Sequence, residues 1–197
     1  YIIFIFLNSC SLVETKDIPT IARSLILGPP DMVISNEVYE NMPYSFAKVK
    51  IGRSGAGLMV LLSIEEDIHE WIGPNDEKIF TKNGKIIKTI GLDYNVKILN
   101  PNFSFQHCDS CNFDYYMQLF NPEALITQRA NATFLSIEDL EFLKTTPTRM
   151  MIENFYTSKF KWNGENKYWF DKDDVAIKTI QEIHPNLGKV EITFFYK

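Results

Sequence analysis

The sequence predicts a mainly β protein built on a single antiparallel meander sheet, with one or two short helices near its N-terminal end. Aromatic residues make up 14% of the chain, including fifteen Phe and nine Tyr, and such side chains favour pleated, half-buried surfaces. Short strand-like runs follow one another with turns between them and no crossover helix, which is typical of antiparallel pairing. With 197 residues, 45% of them hydrophobic, the chain can bury the core of one domain.

Two short segments ahead of the strands carry helix signals. Apolar residues at helical spacing run through residues 18–27 and stop at Gly28-Pro29-Pro30. Ser35 can cap a second helix over residues 36–41, which ends before Pro43. The sequence therefore predicts one or two short helices before the sheet.

Two Asn-Gly pairs predict tight hairpin turns, because both central positions of such a turn need a positive φ. Asn83-Gly84 is the stronger signal, and Asn163-Gly164 is a similar one. Residues 95–112 break the rhythm and are predicted to form a long loop. The predicted strands cover residues 46–51, 58–65, 68–72, 78–82, 85–90, 124–137, 149–160, 156–162, 167–171, 175–183 and 190–196.

The N-terminal residues predict export and lipid attachment. Residues 1–7 form an uncharged apolar run, far shorter than the ~20 residues of a membrane-spanning helix and typical of the tail of a signal peptide. Leu7-Asn8-Ser9-Cys10 resembles a bacterial lipobox, in which the cysteine thiol receives a diacylglycerol. The alternative is a buried first strand that ends in an ordinary cysteine.

This interpretation divides the chain into three parts. Residues 1–9 are a signal-peptide remnant, residues 10–17 a lipid-anchored tether that starts at Cys10, and residues 18–197 a single β domain. The residue directly after the cysteine is Ser11 and not Asp. By analogy with enterobacterial sorting, this predicts that the protein is anchored at the periplasmic face of the outer membrane. The formal net charge of −5, without a basic block, gives little support to nucleic-acid binding.

Cys108-Asp109-Ser110-Cys111 is the most suggestive local motif. Such a pair can be a redox dithiol, half of a zinc site or a local disulfide. A redox role usually needs a helix N-terminus that lowers a thiol pKa, and zinc would need two further ligands. In an exported protein a disulfide between Cys108 and Cys111 is the default. We predict no metal site and no cofactor.

Four aromatic residues are candidates for contact with a ligand, namely Trp71, Trp162, Tyr168 and Trp169. Their rings could stack on sugars, although packing in a core is the commoner use of such side chains. Carboxylates cluster at residues 65–67 and 171–174, where solvated turns are the simpler interpretation. Sugar hydrolysis needs two carboxylates at a set separation across a cleft, so we predict no catalytic residues and no enzyme.

Three stretches carry a resemblance to a known family. They are Pro43-Tyr44-Ser45-Phe46-Ala47, the segment from Ile79 to Leu92 around Asn83-Gly84, and Asn166-Lys167-Tyr168-Trp169-Phe170-Asp171 with Gln181 and Pro185 after it. In order and spacing the chain resembles the YjbF/GfcB family of bacterial lipoproteins, which is linked to exopolysaccharide and group-four capsule production. The family's lipobox cysteine maps to Cys10.

The resemblance implies a meander sheet curled into a half-barrel. It also implies a non-enzymatic outer-membrane lipoprotein that is an accessory factor in exopolysaccharide or capsule export or assembly. Its partners would be the membrane, through the lipid anchor, and polysaccharide or polysaccharide-export proteins. The alternative is a periplasmic carrier or chaperone for a lipid or lipoprotein on the concave face of the sheet. A polysaccharide-modifying enzyme is the third hypothesis.

Overall fold

The computed structural model describes residues 32–106, 108–141 and 143–197, and these form one short helix and a closed barrel of twelve antiparallel strands. The helix predicted at residues 18–27 lies outside the described residues. The elements are α1 (Asn36–Asn41), β1 (Phe46–Ile51), β2 (Gly57–Glu65), β3 (Ile68–Ile72), β4 (Lys78–Lys82), β5 (Lys85–Ile90), β6 (Val96–Ile98), β7 (Ser110–Leu119), β8 (Ala124–Glu141), β9 (Thr145–Thr157), β10 (Trp162–Phe170), β11 (Ala176–Gln181) and β12 (Val190–Phe195).

The barrel closes through its first and last strands. Each strand pairs with its neighbour in sequence, and β1 pairs with β12 from Phe46↔Phe195 to Ile51↔Val190. The mainly β meander is confirmed, but the half-barrel is wrong. Register shifts in four of the strand pairs bend the sheet, and closure pairs the backbone groups that two free edges would leave unpaired.

Helix α1 is fastened to this seam. The Ser35 hydroxyl accepts a hydrogen bond from the backbone N–H of Val38 at 3.2 Å, as the sequence predicted for the helix start. The Tyr39 hydroxyl donates to the carbonyl oxygen of Tyr196 at 2.8 Å, and its ring packs on Phe46. No helix within the described parts of the chain has the length and apolar character to cross a bilayer.

Of the two predicted Asn-Gly turns, one is confirmed and one is wrong. Asn83 and Gly84 adopt φ values of 48° and 76° between β4 and β5. Asn163 and Gly164 instead lie inside β10. A Cβ at Gly164 would lie 2.7 Å from Cζ of Phe155, its partner on β9. The glycine therefore makes room for an aromatic ring rather than for a turn.

The segment predicted as a long loop contains β6 and the start of β7, and the stretch between these two strands enters the core. Phe103 and Phe105 are buried, and the Phe105 ring lies 4.8 Å from that of Tyr168, measured between centroids. Phe103 packs edge-on against Tyr115 at 5.5 Å. Because Tyr115 and Tyr168 are buried inside the barrel, this inserted loop fills part of the interior.

Candidate functional site

The four aromatic residues singled out from the sequence do not form one surface. All are buried, with at most 9% of their area exposed. Trp71 packs on Phe194, and its indole N–H donates to Oγ1 of Thr81 at 2.9 Å. Trp162 packs edge-on against Phe155. These contacts are typical of core residues. The predicted contact of the four rings with a ligand stays a prediction.

Trp169 lies in a smaller apolar cluster, separate from the main core. It packs with Met150 and Ile177, and Leu140 near the end of β8 packs against the cluster. Its indole N–H donates to Oε2 of Glu138 at 3.3 Å. The long β8–β9 hairpin therefore covers Trp169, whereas its neighbour Tyr168 belongs to the main core.

A disulfide joins Cys108 to Cys111 where the inserted loop meets β7. This bond leaves neither sulfur free to ligate zinc. Within the described ranges, no group of three or more His, Cys, Asp and Glu side chains is placed to hold a metal ion. Cys10, the predicted lipidation residue, lies outside the described residues.

The barrel interior contains a polar cluster centred on the carboxylate of Glu153. Its Oε2 lies 2.7 Å from Nζ of Lys85, and it accepts hydrogen bonds from the Tyr168 hydroxyl and the Asn166 amide, each at 2.8 Å. Its Oε1 accepts from the Tyr115 hydroxyl at 2.7 Å. The Lys85 ammonium also lies 4.4 Å from the centroid of the Tyr115 ring.

Strand alternation places these groups together. On β9 the side chains of Met151, Glu153 and Phe155 are buried while those of Asn154 and Tyr156 are exposed. Asn166 on β10 lies opposite Glu153 in the register. A carboxylate in the inward phase of an alternating strand is a signal that the sequence does carry, although Glu153 was not among the predicted site residues.

The environment keeps the Glu153 carboxyl ionised. Burial alone would raise its pKa, but the Lys85 charge and hydrogen bonds from Asn166, Lys85 and Tyr115 outweigh burial and lower it. Burial raises the pKa of the Tyr168 phenol, and the charge of Glu153 raises it further. The carboxylate is enclosed and holds four partners, so the cluster is a fixed internal ion pair rather than an accessible acid or base.

A second group of polar residues faces outward on β7, β8 and β9, and we call it the polar face. Two rows cross the three strands in register: Asn112, Asn131 and Asn154 form one, and Asp114, Arg129 and Tyr156 form the other. These six side chains line a shallow groove of about 490 Å³. Tyr116 follows on the same side of β7, two residues beyond Asp114.

Part of the polar face is held rigidly and part is free. The Asn131 amide donates to Oδ1 of Asn112 at 3.0 Å and accepts from the Thr133 hydroxyl at 2.9 Å. Among the described residues, no ion pair or hydrogen bond occupies the side chains of Arg129 and Asn154. The face thus combines an oriented central amide with polar groups available to a ligand.

An apolar pocket lies beside the β1–β2 and β3–β4 turns, lined in part by Val49, Met59, Gly73, Ile79 and Leu92. Its volume of about 270 Å³ is below the ~300–1,000 Å³ of typical small-molecule sites. The polar face is therefore the larger of these two candidate binding sites and the one that presents polar groups.

The sequence of the chain matches a known protein family. A family model described as "Group 4 capsule polysaccharide lipoprotein gfcB, YjbF" matches residues 20–195. The chain is 24% identical to the lipoprotein YjbF of Escherichia coli (strain K12) over 203 residues, covering 98% of this chain and 93% of that protein. It is also 24% identical to the lipoprotein GfcB of the same organism over 92 residues, covering 47% of this chain and 42% of that protein.

A solved structure supports the fold. The crystal structure of the hypothetical lipoprotein YmcC from Escherichia coli (K12) superposes with a TM-score of 0.75 at 18% sequence identity, covering 94% of this chain and 98% of that chain. At this identity the likeness shows a common fold.

Proposed function

This chain belongs to the YjbF family of group 4 capsule polysaccharide lipoproteins, and we propose that it is a non-enzymatic accessory factor in the export or assembly of surface polysaccharide. The observation that carries this proposal is the match of the family over residues 20–195, which includes all twelve strands of the barrel. In the proposed role the protein holds polysaccharide, or an export protein that handles it, without changing its covalent structure.

The state of the carboxylates supports a non-enzymatic role. Glu153, the buried acid at the centre of the interior cluster, has its oxygens occupied by four partners. Asp171 accepts backbone hydrogen bonds from Asp173 and Val175 and so closes its own turn. Residues 65–67 are exposed at the β2–β3 turn. A glycosidase would need two such acids facing each other across a cleft.

Closure of the barrel weighs against the carrier hypothesis. That hypothesis placed a lipid on the concave face of an open sheet. In the closed barrel the interior is filled by side chains, among them Phe103 and Phe105 from the inserted loop and the Glu153 cluster. An acyl chain would have to displace this packing.

We further propose that Cys10 carries the lipid and that the domain sits on the periplasmic face of the outer membrane. The lipoprotein relatives indicate an exported, membrane-anchored protein, and Ser11 favours the outer membrane. Each acyl chain would contribute ~0.8 kcal/mol per buried methylene to anchoring.

Deletion of the gene tests the proposed role. We expect the deletion strain to lose surface polysaccharide, measured as cell-bound and released uronate and hexose. A plasmid copy of the wild type should restore it, whereas Cys10→Ala should restore it poorly and incorporate no labelled palmitate. An unchanged amount, chain length and surface attachment of polysaccharide in the deletion strain would reject the role.

A further inference from the structure

We infer that the polar face on β7, β8 and β9 is a binding surface for an extended, largely uncharged polysaccharide, an inference that rests on the proposed role in polysaccharide export. The identity of the ligand class follows from four properties of the face: its spacing, its aromatic rings, its rigidity and its balance of charge.

The spacing of the face fits a row of sugar rings. Neighbouring strands lie about 4.8 Å apart, and successive outward residues on one strand lie about 6.5–7 Å apart. The two rows therefore set six side chains over an area comparable to a short oligosaccharide. Asn112, Asn131 and Asn154 stand in one row across the strands. An amide offers donors and acceptors together, which matches adjacent sugar hydroxyls.

Two exposed tyrosines are neighbours of Arg129 in the register of the strands. Tyr156 lies directly opposite Arg129 on β9 and has 52% of its surface exposed. Tyr116, which is 54% exposed, lies diagonally from Arg129 on β7, since its own partner on β8 is Thr127. Diagonal neighbours across a strand pair are within reach of aromatic and long side chains. Both rings can therefore lie against the apolar faces of sugars while Arg129 donates to hydroxyl oxygens.

The framework of the face is fixed before a ligand arrives. All six residues of the two rows lie on strands inside continuous ladders, and the Asn131 amide is oriented by Asn112 and Thr133. Side chains on rigid elements lose less freedom on binding than side chains on loops.

The charge of the face selects against densely anionic polymers. Arg129 lies opposite Asp114, and the row that ends at Asn154 continues to Glu165 on β10, which pairs with Lys167 at 3.2 Å. Two positive and two negative side chains balance over this area, and the whole chain has a formal net charge of −5. A polymer with an acid on every sugar, or on every second sugar as in hyaluronate, would be repelled by the protein as a whole.

The test measures binding of the full chain, purified in detergent, to exopolysaccharide isolated from the bacterium that encodes it. The three variants are Tyr156→Ala, Asn154→Ala and Arg129→Ala. Matched controls change the same residue types elsewhere on the surface: Tyr44→Ala, Asn186→Ala and Arg53→Ala. Each protein is first checked for an unchanged unfolding midpoint. We expect each face variant to raise the dissociation constant about three- to tenfold and each control to change it less than about twofold. Galactomannan should compete better than hyaluronate.

Each result separates this inference from the proposed function. Face variants that bind as well as their controls would overturn the binding surface, and stronger competition by hyaluronate would overturn the uncharged ligand class. A triple variant that binds polysaccharide normally but fails to restore export would assign the face to a protein partner instead. If the deletion strain is defective and the triple variant both binds and restores export, the polar face is rejected while the proposed function stands.

Discussion

Nζ of Lys85 lies 2.7 Å from Oε2 of Glu153 inside the barrel, and the two side chains expose only 4% and 0% of their area. Such a pair gains Coulomb energy from its closeness but loses the hydration of both charges. Its main consequence is an asymmetry, since loss of one partner leaves the other as an uncompensated buried charge.

Replacing Glu153 should therefore destabilise the barrel strongly. Glu153→Gln keeps the size of the side chain and removes its charge, and we expect the free energy of unfolding to fall by about 3–5 kcal/mol. The measurement is guanidinium unfolding followed by Trp fluorescence. The control is Glu165→Gln in the half-exposed pair with Lys167, where a loss of about 0–1 kcal/mol is expected.

The double variant Lys85→Met with Glu153→Gln should recover part of this loss, because it contains no uncompensated charge. Equal losses for Glu153→Gln and Glu165→Gln, or no recovery in the double variant, would contradict the role given to the ion pair.

The same carboxylate predicts a pH dependence in acid. The pKa of Glu153 in the folded protein lies below its ordinary value of 4.5, since the Lys85 charge and hydrogen bonds from three neighbouring side chains outweigh the effect of burial. The unfolded chain therefore takes up this proton first as the pH falls. Its stabilisation is fully present above about pH 4.5 and is lost as the pH falls through the lowered pKa.

We expect the free energy of unfolding of the wild type to fall more steeply between pH 5 and 3 than that of Glu153→Gln. Glu70 and Glu77 also have lowered pKa values, but both proteins retain them, so their effect cancels in the difference. Parallel curves for the two proteins would show that Glu153 does not set the acid limit.

Local patterns predicted the strands better than they predicted what closes the barrel. Asn83-Gly84 specifies a turn through its own φ preferences, so neighbouring residues suffice. Pairing of Phe46 with Phe195 joins the two ends of the sheet, and no local pattern encodes that contact. The turn predicted at Asn163-Gly164 is wrong, because Gly164 instead leaves space for the ring of Phe155 on another strand.

The candidate sites likewise combine features that a local pattern reveals with features that depend on contacts between strands. The inward position of Glu153 on β9 is visible in the sequence. Residues 110–119 also alternate as a strand does, but the predicted strands omit β7, and the loop predicted over residues 95–112 includes its first residues. The polar face depends on the register of three strands, which fixes Arg129 between Asp114 and Tyr156. Strand periodicity assigns a side to each residue but not its neighbour across the strands.

The inserted loop should be essential for the core. Phe105 is 1% exposed and contacts the rings of Phe103, Phe113, Tyr168 and Phe170. Phe105→Ala removes these contacts and leaves a cavity, so we expect a loss of about 3–5 kcal/mol in the free energy of unfolding. Phe160→Ala, at a residue 39% exposed in a turn, should cost much less. A small loss in the free energy of unfolding for Phe105→Ala would mean that packing of the inserted loop contributes little to the stability of the barrel.

The β4–β5 turn should tolerate no side chain at Gly84. Its φ is +76°, and a Cβ there would lie 2.5 Å from Cβ of Ala176 and 3.0 Å from Cγ2 of Thr179. The turn is also tied across the barrel, since the side-chain amide of Gln181 donates to the Gly84 carbonyl oxygen at 2.8 Å. Ala176 and Thr179 are both buried on β11, so neither has solvent to move into.

We therefore expect Gly84→Ala to lower the free energy of unfolding by about 2–5 kcal/mol, from a left-handed backbone and an overpacked contact together. Gly57→Ala is the matched control, because a Cβ there meets no atom within 4 Å, and it should be neutral or stabilising by up to about 1 kcal/mol through the unfolded chain. Guanidinium unfolding of both variants measures the difference. Equal effects at the two glycines would show that the β4–β5 turn can move away from β11. In that case the hydrogen bond from Gln181 would not keep the turn in place.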